Sequence, residues 1–329
     1  MYFLSDEERR YLIGNLLPRA RRSPVHPELR GWNWREPPLL PAYDVRLGVY
    51  EIAGKYCRTG RDVYLRRVLG VHADPNRAMR EGVILHRALV DVVLRAKAMI
   101  YTMGAANSLL EMQRLLEPAA CPSEEWVLSA IRAEEGSELS DAEVEGLRQR
   151  VAILQAFEYH RIISRIEDVL ARQPRVGPDS LVALALPVTV EQQLDGSLLG
   201  LSSHLSVDAV PAFEPMVFDV KFGPREDFHR LSTTAYALVL ESIYEQPVDV
   251  GCVIYARFVR STSGHGKAEG ERLLVERDLH LIDDELRQYF VEERDERMRM
   301  VAEEIDPGIS DSCYDDCPYT PHCHSRRRS

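Results

Sequence analysis

The sequence has no long apolar run, few cysteines and very few lysines, and each shortage excludes a class of protein. No stretch in the 329 residues reaches the roughly 18 consecutive apolar positions that a transmembrane helix requires. The first residues, MYFLSDEERRYLIGNLL, carry acids where a signal peptide has a basic start and an apolar core. We therefore expect a soluble, cytoplasmic protein that does not contact a membrane.

Six cysteines are too few for a disulfide scaffold in a chain of this length. Clustered cysteines in a reducing compartment more often bind metal or act in catalysis. Lysine is scarcer still, because only four of the 41 basic residues are lysines, namely Lys55, Lys97, Lys221 and Lys267. A lysine inside a motif is therefore notable.

The formal net charge of -11 argues against a basic protein that coats nucleic acid. Residues 1–70 nevertheless hold 13 basic against 8 acidic residues, so positive charge is concentrated in the N-terminal part. Any nucleic-acid site must be local.

Apolar periodicity predicts that the first 175 residues are mainly helical. A capping box formed by Ser5 and Glu8 opens a first helix that should end before Pro18, and irregular sequence follows to about Pro41. Further helices are predicted over residues 51–70, 76–101, 123 into the 130s, and 140–172.

After residue 175 the pattern changes to short segments rich in valine and leucine, separated by Gly, Ser and Pro. Strands are predicted over residues 181–194, 205–210 and 216–222, as an antiparallel meander, and over 249–259 and 272–277. Helices over 226–244 and 281–304 complete the pattern. We expect an α/β protein with a helical region (1–175), an α/β core (176–304) and a C-terminal segment (305–329).

An acid and a lysine lie side by side in FDVKFG, where Asp219 and Lys221 share one face of a strand because side chains alternate. Asp208, on the preceding strand, can approach Asp219 through the hairpin VPAFEP. Two such carboxylates favour a hard cation such as Mg²⁺ or Mn²⁺, which lowers the pKa of a bound water. Lys221 would orient that water or stabilise charge on a phosphate. The alternative is an ordinary ion pair on a half-exposed strand.

His86, in EGVILHRALVDVV, shares a helical face with Val83, Leu89 and Val93, so it points into the protein. Alone, this pattern is typical of a core histidine. A helix-borne histidine, a strand aspartate, a D-x-K strand and a helix with Tyr236, in this order, resemble the PD-(D/E)xK core of the RecB-like exonucleases.

That resemblance implies a restriction-endonuclease-like core with a mixed central sheet. It also implies that His86, Asp208 and Asp219 bind Mn²⁺ or Mg²⁺, with the carbonyl of Val220 as a further ligand. Asp208, Asp219 and Lys221 would be the catalytic residues.

The same resemblance implies two further site residues. Glu191, on the preceding strand, is another site candidate. The family's Q-L-x-x-Y pattern reads STTAY here, with Tyr236 retained for substrate positioning and Ser232 in place of the glutamine.

The C-terminal sequence CYDDCPYTPHC holds three cysteines in a C-x3-C-x5-C cluster: Cys313, Cys317 and Cys323. A fourth ligand is best supplied by Cys57, because Cys121 lies between predicted helices and Cys252 lies inside an apolar strand. One distant cysteine plus three C-terminal ones resembles the iron-sulfur staple of RecB-like exonucleases, which implies a [4Fe-4S] cluster. Zinc bound by Cys₄, or by Cys₃His through His322 or His324, remains the alternative.

Together these motifs span almost the whole chain and resemble the CRISPR-associated RecB-like exonucleases, the fourth core Cas family. LSTTAYALVLES and VDVGCVIYARFV are most similar to its archaeal type I-A branch. The resemblance implies a single-stranded DNA exonuclease of 5′ to 3′ polarity, also acting on single-stranded overhangs. It would trim prespacer DNA for spacer acquisition beside the CRISPR integrase and its small partner subunit.

Four arginines near Cys57 are candidates for phosphate contacts, although a solvated helix face explains them equally well: Arg58, Arg61, Arg66 and Arg67. Three other functions stay open. They are a DNA-repair nuclease of the same fold, a non-catalytic assembly subunit of the integration complex, and a zinc-stapled nucleic-acid-binding module.

Overall fold

The computed structural model describes residues 1–116, 141–260 and 270–325. The predicted helix from residue 123, Cys121, the Ser140 cap and the terminal arginines lie outside these residues, as does the side chain of His324. Helices in the described part are α1 (Asp6–Tyr11), α2 (Leu17–Arg22), α3 (Val49–Ala53), α4 (Arg61–Arg67), α5 (Arg77–Arg114), α6 (Asp141–Arg172), α7 (Pro178–Ala185), α8 (Arg230–Tyr244), α9 (Asp284–Ala302) and α10 (Thr320–Ser325).

The sheet has five strands in chain order: β1 (Val188–Leu194), β2 (Leu205–Pro211), β3 (Met216–Lys221), β4 (Val250–Arg260) and β5 (Glu271–Leu281). The predicted antiparallel meander is confirmed for β1, β2 and β3. β4 runs parallel to β3, and β5 is antiparallel to β4. A parallel pair needs a crossover connection, which α8 supplies. The sheet is therefore mixed, as expected.

Helices cover both faces of the sheet. One hydrophobic core joins α5, α6 and α7 to the face that carries Phe218 and Val220, and a second joins α8 and α9 to the face that carries Val217. Because side chains alternate along β3, the side chains of Asp219 and Lys221 lie on the same face of the sheet as that of Val217. The carboxylate and the lysine thus lie on the α8 side, at the end of a strand that is held from both faces.

The first helix does not end before Pro18 as predicted. The capping box of Ser5 and Glu8 is present, but the chain passes from α1 through a π-helical turn, Leu12–Leu16, directly into α2. Pro18 lies in the first turn of α2, where its missing N–H and fixed φ are tolerated.

The single helix predicted over residues 51–70 is also wrong, because the chain forms α3 and α4 with a loop between them. Gly60 enters α4 with a φ of 75°, and a Cβ there would lie 2.4 Å from the guanidinium carbon of Arg297. Only glycine fits this left-handed, tightly packed position. The break places Tyr56 and Cys57 in the loop.

The strand predicted over residues 181–194 begins only at Val188. Its first half belongs to α7, whose N-cap is Gly177 and whose first turn holds Pro178. A short apolar run fits a buried helix as well as a strand, and here the glycine and proline begin a helix.

The long predicted helices are confirmed. Asn76 caps α5 by accepting a hydrogen bond from the Met79 N–H at 2.9 Å, and Asp283 caps α9 in the same way. α5 continues past Tyr101 to Arg114, with a break in helical geometry at Gly104, whose φ is 75°. Within the described residues, no helix combines the length and apolarity needed to cross a bilayer.

Candidate functional site

Three elements bring an imidazole and two carboxylates together above the sheet. His86 comes from α5, Glu191 from β1 and Asp208 from β2, and one ligand atom from each lies within 4.8 Å of the others. The Nε2 atom of His86 lies 2.5 Å from Oε1 of Glu191 and 3.8 Å from Oδ1 of Asp208. His86 is partly exposed to this site, so it is not an ordinary core histidine.

Glu191 has an unusual backbone. Its φ is 51°, although it lies within β1, between the residues that pair with Val207 and Ala209 of β2. A left-handed non-glycine residue in a strand stores strain, and such strain is common at functional sites. The hydroxyl of Ser206 donates a 2.6 Å hydrogen bond to the other oxygen of Glu191, which fixes the carboxylate toward His86.

Asp219 and Lys221 lie together at the end of β3, as their spacing predicts. The ammonium of Lys221 is 2.9 Å from Oδ2 and 3.1 Å from Oδ1 of Asp219, which is only 3% exposed. Oδ2 is buried and, in the part of the chain that the structure describes, has no hydrogen bond of good geometry beyond this ion pair. The N–H of Val220 donates a 2.6 Å hydrogen bond to Oδ2 of Asp208, so the two aspartates are held at adjacent strands.

Burial, together with the negative charge of Asp219, raises the pKa of Asp208 to about 6, against the influence of His86. Burial opposes the charge on His86, but Glu191 and Asp208 outweigh it, so the pKa of His86 lies above its ordinary value. The pKa of Lys221 is also raised, because Asp219 and Asp208 outweigh the effect of burial. The site therefore concentrates negative charge that a cation would relieve.

Two tyrosines face this charge. Burial raises the pKa of Tyr236 well above its ordinary value, and Asp208, Asp219 and Glu191 raise it further. Tyr2 is affected in the same way and is fully buried, with a hydroxyl that has no hydrogen-bond partner among the described residues. Sequence reasoning named Tyr236 but missed Tyr2, because no local pattern links the second residue to a site formed by distant strands.

The donor atoms fit a hard divalent cation. One imidazole nitrogen and several carboxylate oxygens suit Mn²⁺ or Mg²⁺ better than a thiophilic metal. Within the described residues, Asp219 is not a member of the group formed by His86, Glu191 and Asp208, and its buried Oδ2 lies 2.9 Å from the ammonium of Lys221. From the sequence, Glu191 is only a further candidate, and the tertiary structure places its carboxylate in one group with His86 and Asp208.

A second candidate site is a small pocket lined by four cysteines: Cys57, Cys313, Cys317 and Cys323. No three of these sulfurs lie within 4.8 Å of one another in the described part of the chain. Cys252 is elsewhere, in the core, where burial raises the pKa of its thiol.

A model of the family "CRISPR-associated exonuclease Csa1" matches residues 1–327. The chain belongs to the Csa1 family. A protein from Saccharolobus solfataricus named CRISPR-associated exonuclease Csa1 is 31% identical over 300 residues, covering 91% of this chain and 92% of the relative. A protein of the same name from Thermoproteus tenax is 29% identical over 317 residues, covering 95% of this chain and 98% of the relative.

In this Csa1-family chain, most of the arginines near Cys57 are not free for phosphate. Arg61 is buried, forms an ion pair with Asp306 at 2.8 Å, and donates to the carbonyl of Cys323, 262 residues away. Arg66 and Arg67 both bind the buried carboxylate of Glu51. Arg58 is exposed. Three of the four arginines thus pair with carboxylates of the chain itself.

Proposed function

We propose that this Csa1-family protein is a metal-dependent exonuclease with a PD-(D/E)xK core that hydrolyses single-stranded DNA or single-stranded overhangs. The observation that carries the proposal is the meeting of His86, Glu191 and Asp208 beside the Asp219–Lys221 pair. The names of the two relatives support exonuclease activity.

The residues divide into three roles. His86, Glu191, Asp208 and Asp219 would hold Mn²⁺ or Mg²⁺, with the carbonyl of Val220 as a further ligand. When bound, such an ion supplies Lewis-acid chemistry for phosphodiester hydrolysis.

Lys221 stays charged because Asp219 holds its ammonium, and it would donate hydrogen bonds to the attacking water or to the phosphate oxygens. Tyr236, on α8 beside the carboxylates, would position the strand.

We also propose that Cys57, Cys313, Cys317 and Cys323 hold a [4Fe-4S] cluster, with zinc as the alternative. Their common pocket and their spacing support this assignment. The cluster would fasten the C-terminal segment to the loop before α4 and so serve a structural role.

Family membership supports a CRISPR-associated role rather than general DNA repair. We propose that the protein trims prespacer DNA, with 5′ to 3′ polarity, in the cytoplasm, beside the CRISPR integrase and its small partner subunit. One observation favours a second function as a non-catalytic assembly subunit: Ser232, which is buried, replaces the family's glutamine.

The test is cleavage of single-stranded DNA labelled at either end, with Mn²⁺ or EDTA, by anaerobically purified protein. Activity should require Mn²⁺ and should fall at least about a hundredfold in Asp219→Ala, Lys221→Ala and Glu191→Gln. Glu276→Gln is the matched control, because Glu276 pairs with Arg257 on the exposed part of β4 and β5. Inactive wild type, or equal activity in every variant, would favour the assembly-subunit function.

A further inference from the structure

Two half-exposed tyrosines lie side by side next to the cysteine pocket, and the proposed chemistry does not use them. Tyr56 is 50% exposed and Tyr314 is 43% exposed. Their ring centroids are 5.7 Å apart, and the rings meet edge to face at 67°. Tyr56 precedes Cys57, and Tyr314 follows Cys313, so two segments far apart in the sequence build one aromatic surface.

Both rings are fixed in place although they face solvent. The hydroxyl of Tyr56 lies 2.9 Å from Nε2 of His229, and its ring packs edge to face on Phe228 at 5.1 Å. The hydroxyl of Tyr314 donates to Oε1 of Glu226 at 3.4 Å. An aromatic surface anchored at its polar ends loses little conformational entropy when a flat ligand binds. The pair is thus preorganised for stacking.

This surface is adjacent to the proposed nuclease site. Nδ1 of His229 lies 3.3 Å from the hydroxyl of Tyr255, and Tyr255 pairs directly with Lys221 across β3 and β4. The charges of Lys221 and Asp219 both act on the hydroxyl of Tyr56. A strand whose phosphate lies at Lys221 would therefore pass close to the two rings.

We propose that Tyr56 and Tyr314 form a stacking platform for an unpaired base of the DNA strand, next to the phosphate that Lys221 contacts. The proposal rests on the proposed function. Stacking on aromatic rings tolerates any base sequence but needs an exposed base face, which a duplex covers with neighbouring pairs. Arg58, which is exposed and acts electrostatically on Tyr314, supplies a cation for the neighbouring phosphate. The platform would favour single-stranded over double-stranded substrate.

The test combines changes in the protein with changes in the DNA. Binding of an oligothymidine is measured with Ca²⁺ in place of Mn²⁺, and then with one abasic nucleotide placed at each position in turn. One abasic position should weaken binding to wild type by roughly 5- to 100-fold. Tyr56→Ala and Tyr314→Ala should weaken binding of the intact strand. In these two variants the abasic nucleotide at that position should no longer weaken binding. Tyr56→Phe should keep most of the affinity for the intact strand and most of the loss caused by the abasic nucleotide.

Tyr101→Ala is the matched control, because Tyr101 is 54% exposed on α5, away from the platform. It should bind both strands as wild type does. Unchanged affinity in the two alanine variants overturns the platform, and so does an equal loss for intact and abasic strands, which indicates a structural effect on the cysteine pocket. If wild type cleaves single-stranded DNA but shows no abasic penalty, the platform fails while the proposed function stands. If wild type neither binds nor cleaves DNA, both fail.

Discussion

Among single residues, Asp208 is a site carboxylate whose ionised form the folded protein disfavours. Burial and the charge of Asp219 raise its pKa to about 6, above the ordinary value of about 3.8. A carboxyl whose pKa is higher in the folded state stabilises the fold below its unfolded pKa, and this contribution disappears as pH rises through the folded pKa. At neutral pH, an ionised Asp208 therefore destabilises the metal-free protein, as groups reserved for a ligand often do.

Asp208→Asn should raise the free energy of unfolding of the metal-free protein at pH 7.5 by about 1–3 kcal/mol. Denaturant unfolding in EDTA measures this change. Near pH 4 the gain should vanish, because Asp208 is then protonated in wild type as well. In saturating Mn²⁺ the wild type should be more stable than Asp208→Asn, because only the wild type keeps the full set of proposed metal ligands. A gain that persists at low pH would mean that charge is not the cause.

At the scale of secondary-structure elements, the helix ends show which local sequence signals predict structure correctly. The Ser5 capping box and the long apolar periodicity of α5 predicted helices that the structure confirms. The break between α3 and α4 was missed, because Gly60 takes its left-handed conformation against Arg297 of the distant α9. Local patterns identify a helix when its own residues favour it, and they fail when a distant partner decides.

One helix end is suboptimal. Glu245 follows α8 with a φ of 52°, in the left-handed position that usually holds glycine, and its N–H bonds the carbonyl of Glu241 at 3.0 Å. Glu245→Gly should stabilise the protein by about 0.5–1 kcal/mol. Glu285→Gly, in the first turn of α9, should instead destabilise it by up to about 1 kcal/mol. Thermal unfolding of both variants is the measurement, and shifts of the same sign would contradict the backbone explanation.

In the whole molecule, the cysteine pocket joins the two ends of the chain. Thr59 donates to the carbonyl of Gly308 at 3.0 Å, and Arg61 binds Asp306, so the loop before α4 holds the C-terminal segment. A metal centre bound by both Cys57 and Cys313, as proposed above, would close a very long loop, and closing a long loop restrains the unfolded chain most strongly.

Cys57→Ala should lose bound iron and should lower the free energy of unfolding by about 3–5 kcal/mol. It should also expose Tyr314 and Tyr319 to chymotrypsin under native conditions. Cys252→Ala is the control, since Cys252 is buried in the core and its high thiol pKa disfavours metal binding. Iron analysis and limited proteolysis distinguish the two variants. Equal iron content in both would remove Cys57 from the ligand set.

The sequence by itself determined the α/β class, the antiparallel meander and the pairing of Asp219 with Lys221, because each depends on local periodicity. Only tertiary structure decided that Glu191, with its left-handed backbone, meets His86 and Asp208. It alone gathered the cysteines in one pocket and set Tyr56 against Tyr314. These contacts join residues far apart in the chain, and their geometry depends on how helices and strands pack rather than on the preferences of neighbouring residues.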